Sequence, residues 1–232
     1  MTSVAGVDGM EAELKFAKRN VMFLTVTQAI LGCAGPISFG VGGLAGHQLL
    51  GADKSLATAP LTGFNLGVAF GAIIVAMISS RLGRKTSFMI GAAMLSAGGL
   101  VAAIALFRGS FWLFAFALVL IGISGGFAQK IRFAAADASP SFYKPKAISW
   151  ILGGGVVSAV LGPQIAIQTK SLFEPILFAG AFMALVPLGF LAILALAPLK
   201  LRDQKPAGTK SLEPARPLAQ VVLTQRFLTG MF

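Results

Sequence analysis

The chain has 232 residues, of which 56% are Ala, Val, Ile, Leu, Met, Phe, Trp, Tyr or Cys and only 12% are charged, with a mean hydropathy of +0.84. Soluble domains run about 45 to 50% apolar and about 25% charged, so a water-soluble fold is excluded. The formal charge of +11 would suggest a nucleic-acid partner in a soluble chain, and the single cysteine, Cys33, excludes an intramolecular disulfide and any cluster that needs several thiolates.

A membrane helix needs roughly 20 apolar residues to cross about 30 Å of hydrocarbon. Six stretches satisfy this, at about 21–46, 58–80, 87–107, 111–133, 147–168 and 175–198. The third and fourth are separated only by Arg108, Gly109 and Ser110, which predicts an antiparallel helical hairpin. Residues 1–20 are polar and form a cytoplasmic amino-terminal segment. Lys15, Lys18 and Arg19 resemble the start of a signal peptide, but the apolar run after them is far longer than the roughly 7 to 15 residues of such a peptide's core and ends in no small-residue cleavage pattern. The first span is therefore read as uncleaved.

Counting Lys and Arg by loop orients the spans, because short basic loops stay in the cytoplasm. Sixteen of the 19 fall on one side: Lys15, Lys18, Arg19; Arg81, Arg84, Lys85; Lys130, Arg132, Lys144, Lys146; and Lys200, Arg202, Lys205, Lys210, Arg216, Arg226. Only Lys54, Arg108 and Lys170 fall on the other. The alternation holds through all six spans and puts both termini inside. The positive charge thus marks a membrane face, and no nucleic acid is expected as a partner.

Polar residues inside hydrocarbon cost free energy unless they meet a partner or a watery cavity, so their distribution sorts helices. The first span carries Thr25, Thr27, Gln28 and Ser38, the second Thr62 and Asn65, the fourth Ser124 and Gln129, and the fifth Ser149, Ser158, Gln164 and Gln168. The third has Ser96 alone apart from Ser87 at its first position, and the sixth has none. Three stripes fall at steps of three and four: Thr25, Gln28, Gly32, Gly35; Thr62, Asn65, Ala69, Ala72, Ala76; and Gly122, Gly125, Gln129, Arg132, Ala136. Such stripes serve either as helix packing seams, as the small-xxx-small pairs Gly42/Gly46, Gly67/Gly71 and Gly122/Gly126 suggest, or as walls of a solute pathway. The costly amides Gln28, Asn65, Gln129 and Gln164, with Arg132, are the pathway candidates. Gly32–Pro36 and Gly122–Gly126 occupy matching positions if the six spans are two runs of three, and interrupted segments at matched positions point to a transporter's central site.

Between spans two and three stands Ser79-Ser80-Arg81-Leu82-Gly83-Arg84-Lys85. Its form and place resemble the loop signature of the major facilitator superfamily, G-x-x-x-D-R-x-G-R-[RK], matched by Arg81, Gly83, Arg84 and Lys85, with Ala76 and Ser80 in place of its Gly and Asp. The resemblance implies an all-α membrane fold of six helices in two three-helix repeats, half of the family architecture, with helices one, two, four and five around a cavity. It implies transport of a small solute by alternating access, in a multi-pass protein of the inner membrane, with Arg81, Gly83, Arg84 and Lys85 as a gating loop. Because Ser80 replaces the family's Asp, Arg81 and Arg84 need another acid, and Asp137 is the only acidic residue in the cytoplasmic loops between helix one and helix six, which suggests an Arg84–Asp137 contact; the alternative is a solvated residue at a helix end.

In span five, Gly162-Pro163 sits where drug antiporters carry a longer glycine motif, of which Ser158, Ala166 and Ile167 replace glycines, and Leu118 occupies about the level of the Arg typical of drug exporters. The runs Arg132–Asp137, Lys146–Ser149 and Gly153–Gly155 are similar to a bacterial subgroup associated with riboflavin uptake. Lys130 and Arg132 are expected to snorkel to the cytoplasmic surface or to bind an anion, and His47 to stand exposed at the outer mouth. No span carries a carboxylate at its middle.

Residues 199–217 are basic and Pro-rich and read as a cytoplasmic linker, and 218–232 as the incomplete start of a seventh helix. The expectation is therefore one half of a transporter, or a truncated form of one, that pairs with a second six-helix half or with itself; the alternative is a non-transporting membrane scaffold. No catalytic triad, zinc motif or phosphate loop occurs, so no enzyme activity, cofactor or metal is expected.

Overall fold

The computed structural model describes residues 4–50 and 54–199. The expected seventh-helix start at 218–232 and all of the linker except Leu199 lie outside the described residues. The regular elements among the described residues are all helices: α1 Val4–Leu31, α2 Ala34–Leu49, α3 Ala59–Leu82, α4 Arg84–Phe107, α5 Phe111–Asp137, α6 Lys144–Thr169, α7 Ala179–Met183 and α8 Leu185–Leu196. They make six helices long and apolar enough to cross a membrane, α1 with α2 supplying the first and α7 with α8 the sixth.

Two spans are interrupted, each just ahead of a proline. Pro36 has no N–H to return to the Gly32 carbonyl, and its ring crowds that carbonyl. The chain therefore tightens at Gly32 and Cys33, where the Cys33 N–H turns to the Ile30 carbonyl at 3.2 Å, before α2 resumes. Pro187 does the same to span six at Ala184. By contrast Pro163 sits inside an unbroken α6, and the glycine cluster at 122–126 lies inside an unbroken α5. Of the two matched glycine segments only the first interrupts its helix. Helix α1 reaches back to Val4 with no break near residue 20, and Ala17, Asn20 and Val21 are all buried. Span six starts later than its apolar run, because residues 170–178 form successive turns ending at Phe178 (φ 70°), whose N–H donates to the Lys170 carbonyl at 2.8 Å.

The turn between α4 and α5 ends one helix and starts the next in three residues. Gly109 (φ 64°) takes the left-handed position, its N–H donating to the Leu106 carbonyl at 3.2 Å while that of Ser110 donates to Ala105 at 2.9 Å. Both bonds satisfy carbonyls that the helix end leaves open.

Packing follows a twofold repeat of three spans. In the first run, α3 lays Gly63, Gly67 and Gly71 against the α5 backbone at Ala115, Val119 and Ile123, and α5 answers with Gly122 against the Phe64 carbonyl and Gly126 against that of Val68. In the second, α6 lays Gly154, Ser158 and Gly162 against α1 and α2 at Thr25, Gly32 and Cys33. The four-residue spacing is the same in both. Spans three and six meet reciprocally: Gly99 of α4 faces Phe182 and Leu185, and Gly189 of α8 faces Ala92 and Ser96, whose hydroxyl donates to the Val186 carbonyl at 2.9 Å. Without a hydrophobic drive between helices in lipid, close backbone approach at small residues is what holds such pairs together. The seam reading is thus correct for Gly67/Gly71 and Gly122/Gly126; of the third pair, Gly42 faces Leu61 of α3 and Leu118 of α5, while Gly46 packs on Ala57 of the α2–α3 connection and on Pro60 in the first turn of α3.

The seams leave α3 and α6 open on their other sides. Only 22% of the α3 span and 28% of the α6 span is buried, against 56% for α4 and α5. The open side of α3 is divided in two. Leu66, Phe70, Ile73 and Met77 form one exposed strip, and Thr62, Asn65, Ala69 and Ala76 form another, on the side away from Gly63, Gly67 and Gly71.

Candidate functional site

One residue separates α3 from α4. Gly83 has φ 82° and ψ 162°, a region essentially closed to residues with a Cβ, which is why the loop signature needs glycine here. The sharp reversal makes Arg84 the first residue of α4 and turns its side chain toward the end of α5. There Arg84 Nη2 donates to Asp137 Oδ2 at 2.8 Å. The pair expected from the sequence is formed.

Its neighbour holds a different helix. Lys85 Nζ donates to the Ala197 carbonyl at 2.6 Å, just past the last turn of α8. A cation there meets both an open carbonyl and the negative end of the helix dipole. The two adjacent residues thus clasp spans four and six to the turn between spans two and three. Arg81 stands exposed in the last turn of α3. Nothing in the sequence pattern singled out Ala197, because a backbone carbonyl carries no residue signature.

Beside the Arg84–Asp137 pair lies a cavity of about 240 Å³ between the end of α3, the start of α4 and the end of α5. Val75, Ala76, Phe88, Phe133 and Ala134 make its apolar walls, and Ser79, Arg84, Lys130 and Asp137 its polar rim. Lys130 Nζ sits 5.9 Å from the centre of the Phe133 ring, within cation–π range. Lys130 therefore belongs with the loop residues rather than among unattached surface cations. At the opposite end of the bundle, Lys54 Nζ donates to the His47 and Leu50 carbonyls at 2.9 and 3.2 Å, closing the end of α2, and His47 is exposed as expected.

The five pathway candidates are not gathered into a cluster. Gln28 is half-buried on α1 one turn before the interruption, while Asn65, Gln129, Arg132 and Gln164 are exposed. No side-chain hydrogen bond joins any two of them; the Asn65 amide donates to the Leu61 carbonyl of its own helix at 3.0 Å. Two share a placement. Asn65 lies two residues beyond the seam position Gly63, and Gln164 two beyond Gly162, so each points away from its helix's glycine contact. Of the first-span stripe, Gly32 packs against Ser158 while Gly35 has open space. In the Gly153–Gly155 run only Gly154 is a packing position. The Gly154-Ser158-Gly162 seam went unread in the sequence, although its spacing repeats that of Gly63-Gly67-Gly71.

Residues 16–232 match the family model of the Major Facilitator Superfamily. The chain belongs to this superfamily. It is a multi-pass membrane protein of that fold. Among curated superfamily relatives, the riboflavin transporter RfnT of Brucella anthropi is 36% identical over 215 residues, covering 93% of this chain and 54% of the relative. The uncharacterized MFS-type transporter YdeG of Bacillus subtilis is 26% identical over 184 residues, covering 75% of this chain and 43% of the relative. The chain spans about half the length of the curated relatives it matches.

Proposed function

We propose that the chain forms one six-helix wall of a secondary transporter that carries a small solute across the inner membrane by alternating access. Superfamily membership and the named transporters among its relatives support this reading. Rocking of such a wall against a second one, supplied by further helices or by another copy, exposes a midplane site to each side in turn.

The observation that carries the pathway assignment is the placement of Asn65 and Gln164 opposite the glycine seams. An exposed amide in hydrocarbon is costly. A water-filled cavity facing the second wall removes that cost, and Gln28, Gln129 and Arg132 extend the polar lining along α1 and α5. The large apolar strip of α3 then meets lipid. The proposed orientation puts the α3–α4 turn, the α5–α6 connection and the end of α8 in the cytoplasm, where sixteen of the 19 Lys and Arg belong by the positive-inside rule.

The solute class proposed is riboflavin or a flavin-like vitamin, a reading supported by the 36% identity to a riboflavin transporter over 93% of the chain. Amides that both donate and accept suit a ring edge of alternating carbonyls and N–H groups. In a Cys33→Ser background, Asn65→Cys and Gln164→Cys are expected to react with a membrane-impermeant thiol reagent and to be protected by riboflavin, while Leu66→Cys is not labelled. Equal labelling at all three positions, or no protection by riboflavin at either pathway position, would remove the basis for this assignment.

A further inference from the structure

We propose that the cavity beside the Arg84–Asp137 pair binds the phosphate of an anionic phospholipid. It lies at the ends of α3 and α5 and the start of α4, where the apolar spans give way to the chain's clustered cations. Such a boundary is where lipid headgroups sit.

Three features fit a headgroup better than water or a neutral solute. The first is charge. Asp137 neutralises Arg84 through one guanidinium nitrogen, and the guanidinium, which lines the cavity, has further N–H donors to offer. Lys130 supplies the uncompensated positive charge, and no hydrogen bond to another described residue occupies its three donors. The second is the wall. Val75, Ala76, Phe88 and Ala134 offer an anion nothing, but they suit the glycerol and first methylenes that accompany a lipid phosphate. The third is size. At about 240 Å³ the cavity is many times larger than a single water needs.

The same chemistry describes free phosphate, but the apolar walls favour the amphiphile. A phosphate oxygen here reaches the Arg84 that also holds Asp137, so headgroup and carboxylate compete for one guanidinium. The lipid is thereby a ligand of the contact that clasps span four to the α3–α4 turn. This inference does not depend on the transport reading, because binding is measured without flux.

The test is native mass spectrometry of the purified full chain in detergent, titrated with phosphatidylglycerol, phosphatidylcholine or inorganic phosphate. Phosphatidylglycerol is expected to be retained in preference to phosphatidylcholine. Lys130→Gln should lower its affinity about fivefold, the factor one basic residue carries at an anionic surface. Lys130→Arg should keep it, Lys144→Gln on the neighbouring surface should leave it unchanged, and Asp137→Asn should raise it. Equal retention of the two lipids, equal loss in the Lys144→Gln and Lys130→Gln chains, or displacement by millimolar inorganic phosphate each overturns the proposal.

Discussion

Arg84 and Asp137 meet at 2.8 Å although each stands at the helix end that its charge disfavours. Arg84 opens α4, where the dipole is positive, and Asp137 closes α5, where it is negative. Pairing offsets both placements and joins the ends of α4 and α5 that lie farthest from the turn connecting them. With the side chains 31% and 45% exposed, water screens the pair, and it contributes about 1 kcal/mol or less to stability. Its cost to the helix ends and its small net worth are compatible with the gating role proposed for it.

Asp137→Asn is therefore expected to leave expression and detergent melting nearly unchanged while lowering solute uptake severalfold. Exchanging the charges, Arg84→Asp with Asp137→Arg, should recover part of the uptake. Normal uptake in Asp137→Asn at wild-type expression rules out a gating role for the pair.

Gly83 makes the turn that starts α4 at Arg84. At φ 82° and ψ 162° a Cβ is strained, at a cost of order 1 to 3 kcal/mol. Gly83→Ala should lower the melting temperature by several degrees and abolish the effect of a second Asp137→Asn change, since the contact is already lost. Additive losses in the double variant would show that the turn does not position Arg84.

The glycine seam between α3 and α5 makes a graded prediction. A Cβ on Gly122 meets the Phe64 carbonyl, and one on Gly71 the Ile123 carbonyl, so both backbones must shift. Gly122→Ala and Gly71→Ala should each destabilise by about 1 to 3 kcal/mol, the usual cost of overpacking. Gly153→Ala, with nothing within 4 Å of the new methyl, should be neutral or stabilise by up to about 1 kcal/mol through helix propensity. Thermal unfolding in detergent ranks the three, and equal effects contradict the seam.

Orientation is checked from opposite loops. In a Cys33→Ser background, Leu172→Cys should be labelled by an impermeant maleimide on intact cells, and Lys144→Cys only after the membrane is opened. Both residues are exposed, so failure to react reflects sidedness and not burial. The reverse pattern inverts the topology.

The six spans, their alternation and the Arg84–Asp137 contact were legible in the residues themselves. A span must satisfy its own backbone hydrogen bonds and its own hydrophobic length, so it is written locally. The contact could be anticipated because Asp137 is the acid available to a loop signature that lacks its usual Asp. Gly83 could be read too, because its conformation is set by the residue it occupies.

Tertiary structure decided what depends on a partner. Whether a glycine is seam or open surface turns on what stands opposite: Gly154 faces Thr25 while Gly153 and Gly155, its neighbours in sequence, face nothing. Pro36 and Pro187 interrupt spans one and six while Pro163 leaves α6 whole, a difference no dipeptide pattern contains. Lys85 found a backbone carbonyl at the far end of the chain, and Lys130 became part of a cavity because α3 and α4 close around it. Helix formation is a property of one segment, whereas a contact belongs to two, and in a bundle held by close backbone approach the second partner is chosen only when the helices pack.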